Sequence, residues 1–86
     1  MADCAPGKEF VFKMPDGRVI GRAKNVNELA NMIKTAPLES VLYHAKGYHY
    51  SPWLSMLGYS QLSGRLRALA VNDKTIRVAL LRALKG

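Results

Sequence analysis

The chain has 86 residues, enough for one domain but small enough that its surface-to-volume ratio is a handicap. A hydrophobic content of 49% excludes intrinsic disorder, and the single Cys4 excludes an internal disulfide. Thirteen basic against six acidic residues give a net charge of +7, which argues against cationic partners and favours polyanions: nucleic acid first, an anionic membrane surface second. A purely solubilising surface is the bland alternative.

Other classes fall away at the same level. No apolar run reaches spanning length and no lipidation motif is visible, so no membrane partner is expected. The opening Met-Ala-Asp-Cys-Ala-Pro-Gly-Lys lacks the pattern of a signal peptide, which makes the cytoplasm the expected location. The excess charge is unevenly placed. Up to Glu39, six bases face five acids; from Ser40 onward, seven bases are opposed by Asp73 alone.

In chain order, residues 1–8 read as a loose tail, and residues 9–86 as one domain. Glu9 to Met14 is strand-like, Pro15-Asp16-Gly17 is a turn, and Val19 to Ala23 returns antiparallel. The expected register pairs Met14 with Arg18, Phe12 with Ile20 and Phe10 with Arg22, placing Phe10, Phe12, Arg18, Ile20 and Arg22 on one face. Phe10 and Phe12 read as core; the alternative is an exposed platform with flanking arginines. Asn25 or Asn27 caps a helix over Asn27 to Thr35, with Leu29, Ala30 and Ile33 on its buried stripe.

Ser40 to His44 is expected as a third strand, and Tyr48-His49-Tyr50 as a short fourth after Gly47. Ser51-Pro52 signals a helix start, followed by Trp53, Leu54, Met56 and Leu57. Ser60 caps another helix to about Val71. A last helix spans about 73–85, with Ile76, Leu80, Leu81 and Leu84 on an unusually wide apolar arc. That arc points to self-association as a dimer or tetramer, the alternative being central placement of the helix within the monomer. The expected fold is therefore α+β: a small antiparallel sheet of about four strands with packed helices and an oligomerising C-terminal helix.

Function concentrates between Leu42 and Trp53, where four of the seven aromatic residues and both histidines lie in twelve positions. Tyr48, Tyr50 and Trp53 interleaved with His44, Lys46 and His49 suit unpaired bases, which offer a π-face to rings and phosphates to cations. One of these rings, Trp53 before the others, is expected in the core, and the whole cluster could be the wet rim of a core. Arg18, Arg22, Lys24, Arg65 and Arg67 are the candidate phosphate contacts. Two histidines fall short of a zinc site, and no carboxylate pair or phosphate loop supports catalysis, so neither cofactor nor enzyme activity is expected.

The segments Phe-Val-Phe-Lys-Met-Pro-Asp-Gly-Arg-Val, Asn-Val-Asn-Glu-Leu-Ala, Leu-Tyr-His and Tyr-His-Tyr-Ser-Pro-Trp-Leu, in this order between Glu9 and Leu69, resemble the DNA-binding domain of the ThermoDBP family of archaeal single-stranded DNA-binding proteins. The short length looks most like that family's stand-alone related proteins. The resemblance implies a four-stranded antiparallel sheet with helices, sequence-tolerant binding of single strands, and oligomers. No single contact residue is carried over. The expected activity is sequence-tolerant binding of single-stranded DNA first and RNA second; the alternative is an oligomerising protein-interaction module with no nucleic-acid role.

Overall fold

The computed structural model describes residues 4–85. Two strands, β1 (Phe10–Lys13) and β2 (Val19–Ala23), are followed by five helices: α1 (Val26–Thr35), α2 (Leu38–Lys46), α3 (Tyr50–Met56), α4 (Ser60–Arg67) and α5 (Ile76–Lys85). The sheet has two strands rather than about four, because the segments expected as strands three and four are helical. In Leu38–Lys46, Val41, His44 and Ala45 recur at three- and four-residue spacing and form the buried stripe. Burying that stripe against β1 and α5 outweighs the strand preference of Val-Leu-Tyr.

The hairpin turn follows its sequence. Gly17 takes φ +93°, its N–H donates to the Met14 carbonyl at 2.8 Å, and Met14 pairs with Arg18 as expected. Beyond that, a bulge intervenes: Lys13 opposes Val19 while Phe12 opposes Gly21, leaving Ile20 as the extra residue. Phe10 therefore faces Ala23 rather than Arg22, and Arg22 moves to the opposite side beside Val11. The one-residue shift has a packing reason. Phe10, Phe12 and Ala23 are all buried, and a Cβ on Gly21 would lie 2.5 Å from Met32 Cε of α1. Small residues on β2 let α1 close over the sheet, whereas the expected register would bury an arginine there.

Asn25, not Asn27, caps α1: its side chain accepts the Glu28 N–H at 2.9 Å while Glu28 Oε1 accepts from Lys24 N–H at 2.9 Å. At the other end, Arg77 of α5 donates from Nη1 to the carbonyls of Ile33, Lys34 and Ala36 at 2.8–3.0 Å. A cation thus closes the electronegative end of α1 and docks α5 onto it. Ser51 is not a cap either. It is buried, and Ser51 and Ser63 exchange hydroxyl-to-carbonyl hydrogen bonds at 3.0 and 2.9 Å, stitching α3 to α4.

Residues 4–8 are fastened rather than loose: Cys4 N–H donates to the Lys24 carbonyl at 2.8 Å, and the Trp53 indole N–H donates to the Lys8 carbonyl at 2.8 Å. The remainder of the expected tail lies outside the described residues. One core runs from the inner face of the hairpin through Leu29, Ile33, Val41 and Leu54 to Ile76 and Leu80. Among the described residues, no helix is long and apolar enough to cross a membrane.

A candidate nucleic-acid interface

The helical form of the aromatic stretch decides which rings can meet a ligand. Tyr50 and Trp53, three apart on α3, point inward and are buried, as is His44 on α2. Tyr50 stacks on Phe10 with centroids 5.1 Å apart and planes at 20°, and Trp53 meets Phe10 edge-on at 5.7 Å. The Tyr50 hydroxyl donates to the Val41 carbonyl at 3.2 Å, and burial raises its pKa well above the ordinary range. Tyr50 and His44, expected on strands and at the ligand, are instead buried, and Trp53 is in the core, where it was expected before the other rings. The expectation failed because strand alternation exposes every second residue, whereas a helix buries positions three and four apart.

Tyr48 and His49 stay outside, and Tyr43 is half-buried. Tyr48 adopts φ +54°, turning the chain between α2 and α3, and is 50% exposed. His49 follows it and is also exposed, its ring lying over Gly47 where any side chain would stand.

His44 and His49 are linked through their Nδ1 atoms at 2.9 Å, and His44 Nε2 lies 2.9 Å from the Lys13 backbone N–H. That N–H can only donate, so His44 Nε2 is unprotonated and its proton sits on Nδ1. His44 Nδ1–H then donates to His49 Nδ1, which leaves the neutral His49 with its proton on Nε2. Burial, then the neighbouring His49, then Lys13 hold the His44 pKa down to about 4. Ser40 completes the clamp by donating to the Lys13 carbonyl at 2.7 Å. Lys13 of β1 is therefore gripped at both backbone groups by α2.

This pairing forms a cleft of about 310 Å³ between β1 and the α2–α3 corner, lined by Phe10, Val11, Lys13, Tyr43, His44 and His49. Tyr43 and His49 meet edge-on at its mouth with centroids 5.3 Å apart. Val11 opposes Arg22 across the ladder, so Arg22 and Lys13 share the outer face of the hairpin, and both are exposed. Lys24, two residues beyond Arg22, is exposed as well. The arrangement offers cations on an open strand face, ring edges beside them and an imidazole held in one tautomer.

The other expected contacts lie elsewhere. Lys46 borders a hollow with Leu42, Val71, Asn72 and Asp73, and Tyr48 borders a separate gap with Leu66, Leu69 and Val71. Arg18 sits in the hairpin turn, its N–H donating to Asp16 at 2.9 Å. Arg65 donates to the Ala83 carbonyl at 3.3 Å at the end of α5, and Arg67 is exposed at the end of α4. On α5, Ile76 and Leu80 are each 1% exposed within the chain's own core and cannot serve as oligomer contacts; Leu81 and Leu84 are only half-buried.

Of the residues that line the cleft, His44 and His49 are among the candidates named from the sequence, whereas Lys13 and Tyr43 are not. Lys13 was legible in principle: strand alternation places it opposite Phe12, outside if Phe12 is inside. Among the described residues, no three metal-binding side chains converge. Comparisons with protein-family models, with curated proteins and with solved structures returned no match.

Proposed function

We propose that the outer face of the β1–β2 hairpin, with the cleft at its edge, binds single-stranded nucleic acid without sequence preference. The observation that carries this reading is the cleft itself: Lys13, Tyr43 and His49 meet there, beside Arg22 and Lys24 and with no carboxylate in the lining. Lys13, Arg22 and Lys24 contact phosphates, while the Tyr43 and His49 rings take a base whose π-face is free only in an unpaired strand. The net charge of +7 adds a long-range attraction that steers any polyanion toward the protein. Stacking is tolerant of base identity, so the expected selectivity is for strandedness. The reading rests on a single chain and requires no second subunit.

Fluorescence anisotropy with labelled oligothymidylate, oligouridylate and duplex DNA across a salt series tests it. Three neutralised phosphates give a slope of about −2 in log K against log salt on single strands. Replacing Lys13 and Arg22 together by alanine should reduce that slope by about 1.4, and Tyr43→Leu should cost roughly 1–3 kcal/mol with little change in slope. Equal affinity for duplex and single strand at low salt, or an unchanged slope in the double variant, overturns the assignment.

A further inference from the structure

On the side of the molecule formed by α1 and α5, the structure leaves a second, larger depression, of about 480 Å³. The two helices run antiparallel there, since Arg77 at the start of α5 reaches the carbonyls at the end of α1. Val26 and Ala30 from α1 and Leu81 and Leu84 from α5 supply its apolar surface. Asn27 and Asn31 edge it, and every charged residue in its lining is a lysine: Lys34 and Lys85. One turn before Leu81, Val78 is 52% exposed, which prolongs the apolar strip along α5. The strip has the proportions of a short helix seat: Asn27 to Lys34 covers two turns, about 10 Å at the α-helical rise.

We infer that this groove docks an acidic amphipathic helix from another protein. Apolar side chains three and four residues apart on the incoming helix would lie over Ala30, Leu81 and Leu84. Its flanking Asp or Glu residues would meet Lys34 and Lys85, and the asparagines would hydrogen-bond its polar edge. Charge decides between this occupant and a second copy of the chain. Pairing two copies through the groove would bring four lysines into one interface with no carboxylate among the lining residues to match them, and each copy carries +7. An acidic helix turns the same lysines from a penalty into attraction and selectivity. The groove includes no residue of the hairpin cleft, so both surfaces can be occupied together.

The test uses the full chain, isotopically labelled for NMR, and two synthetic helical peptides with the same apolar positions. One peptide carries glutamates on its flanks and the other lysines. The acidic peptide at up to about 1 mM should shift amide resonances in α1 and α5, and the basic peptide should not. Lys34→Glu with Lys85→Glu, both exposed positions, should weaken the acidic peptide at least tenfold and admit the basic one. Lys13→Glu, remote from the groove, should leave groove shifts unchanged and separates this site from the polyanion face. Failure of the acidic peptide to bind, shifts confined to the hairpin, or indifference to the double charge reversal overturns the inference. So does sedimentation showing a dimer that the neutralising Lys34→Gln, Lys85→Gln variant strengthens, since a second copy would then be the occupant.

Discussion

Acidification should destabilise this protein through His44. The side chain is 3% exposed, its Nε2 is committed to the Lys13 N–H, and its Nδ1 faces His49. Its pKa in the native chain is about 4, against 6.5 for the free side chain. Between these values the unfolded chain takes up a proton that the folded chain refuses, so stability rises with pH across the window and falls as pH drops from 6.5 toward 4. Each pH unit removes up to about 1.4 kcal/mol, giving roughly 2 kcal/mol lost by about pH 5 and roughly 3 across the whole window. Against a total stability on the order of 5–10 kcal/mol for a domain of this size, that loss is large.

Urea unfolding followed by Trp53 fluorescence at about pH 7, 6 and 5 measures it. His44→Gln is the control, because the amide oxygen can still accept from Lys13 N–H but does not titrate. The variant should be less stable near neutrality, yet lose far less between pH 7 and pH 5 than the parent does. Carboxylate titration is common to both proteins and cancels in the comparison. His49→Gln removes only the second-ranked cause of the shift, so most of the window should survive. Parallel stability–pH curves for the parent and His44→Gln would refute the proposed burial and tautomer of His44.

Gly47→Ala drives a methyl into the His49 ring, 2.8 Å from its Cε1, and should displace that ring and break the His44–His49 hydrogen bond. Because His49 is exposed and can rotate, stability should change by less than about 1 kcal/mol, while the His44 and His49 imidazole NMR resonances move; unmoved resonances would contradict the pairing. Arg77→Met removes three carbonyl contacts at the end of α1 and should cost roughly 1.5–3 kcal/mol in chemical denaturation, a loss that Arg77→Lys restores only in part. Tyr50→Ala should destabilise by roughly 3–5 kcal/mol, whereas Tyr48→Ala should stay within about 1 kcal/mol. Similar losses from both would mean that the burial assigned to the two tyrosines is wrong.

Local signals identified the hairpin turn, a capped start of α1 at Asn25 or Asn27, its end at Thr35 and an apolar α5, because each depends on neighbouring residues alone. A turn glycine or a cap asparagine acts within three or four positions wherever the chain goes. The aromatic stretch was different. Val-Leu-Tyr and Tyr-His-Tyr carry strand propensity, and the same residues also fit a helix that buries His44, Tyr50 and Trp53 against Phe10. Short apolar runs do not distinguish the two, and the choice fell to contacts 30 to 45 residues away: His44 with Lys13, and Trp53 with Lys8.

Those long-range contacts also moved the candidate site. Composition alone showed that the chain is basic and that its rings cluster between Leu42 and Trp53. Only the fold turned Tyr50 inward, lifted Arg22 to the outer face through a one-residue bulge, and set Lys13 beside Tyr43 and His49. Propensity and charge are properties of residues, readable one at a time. Which face a side chain takes depends on what packs against the other face, and in an 86-residue domain with a single core that is settled by the whole chain at once.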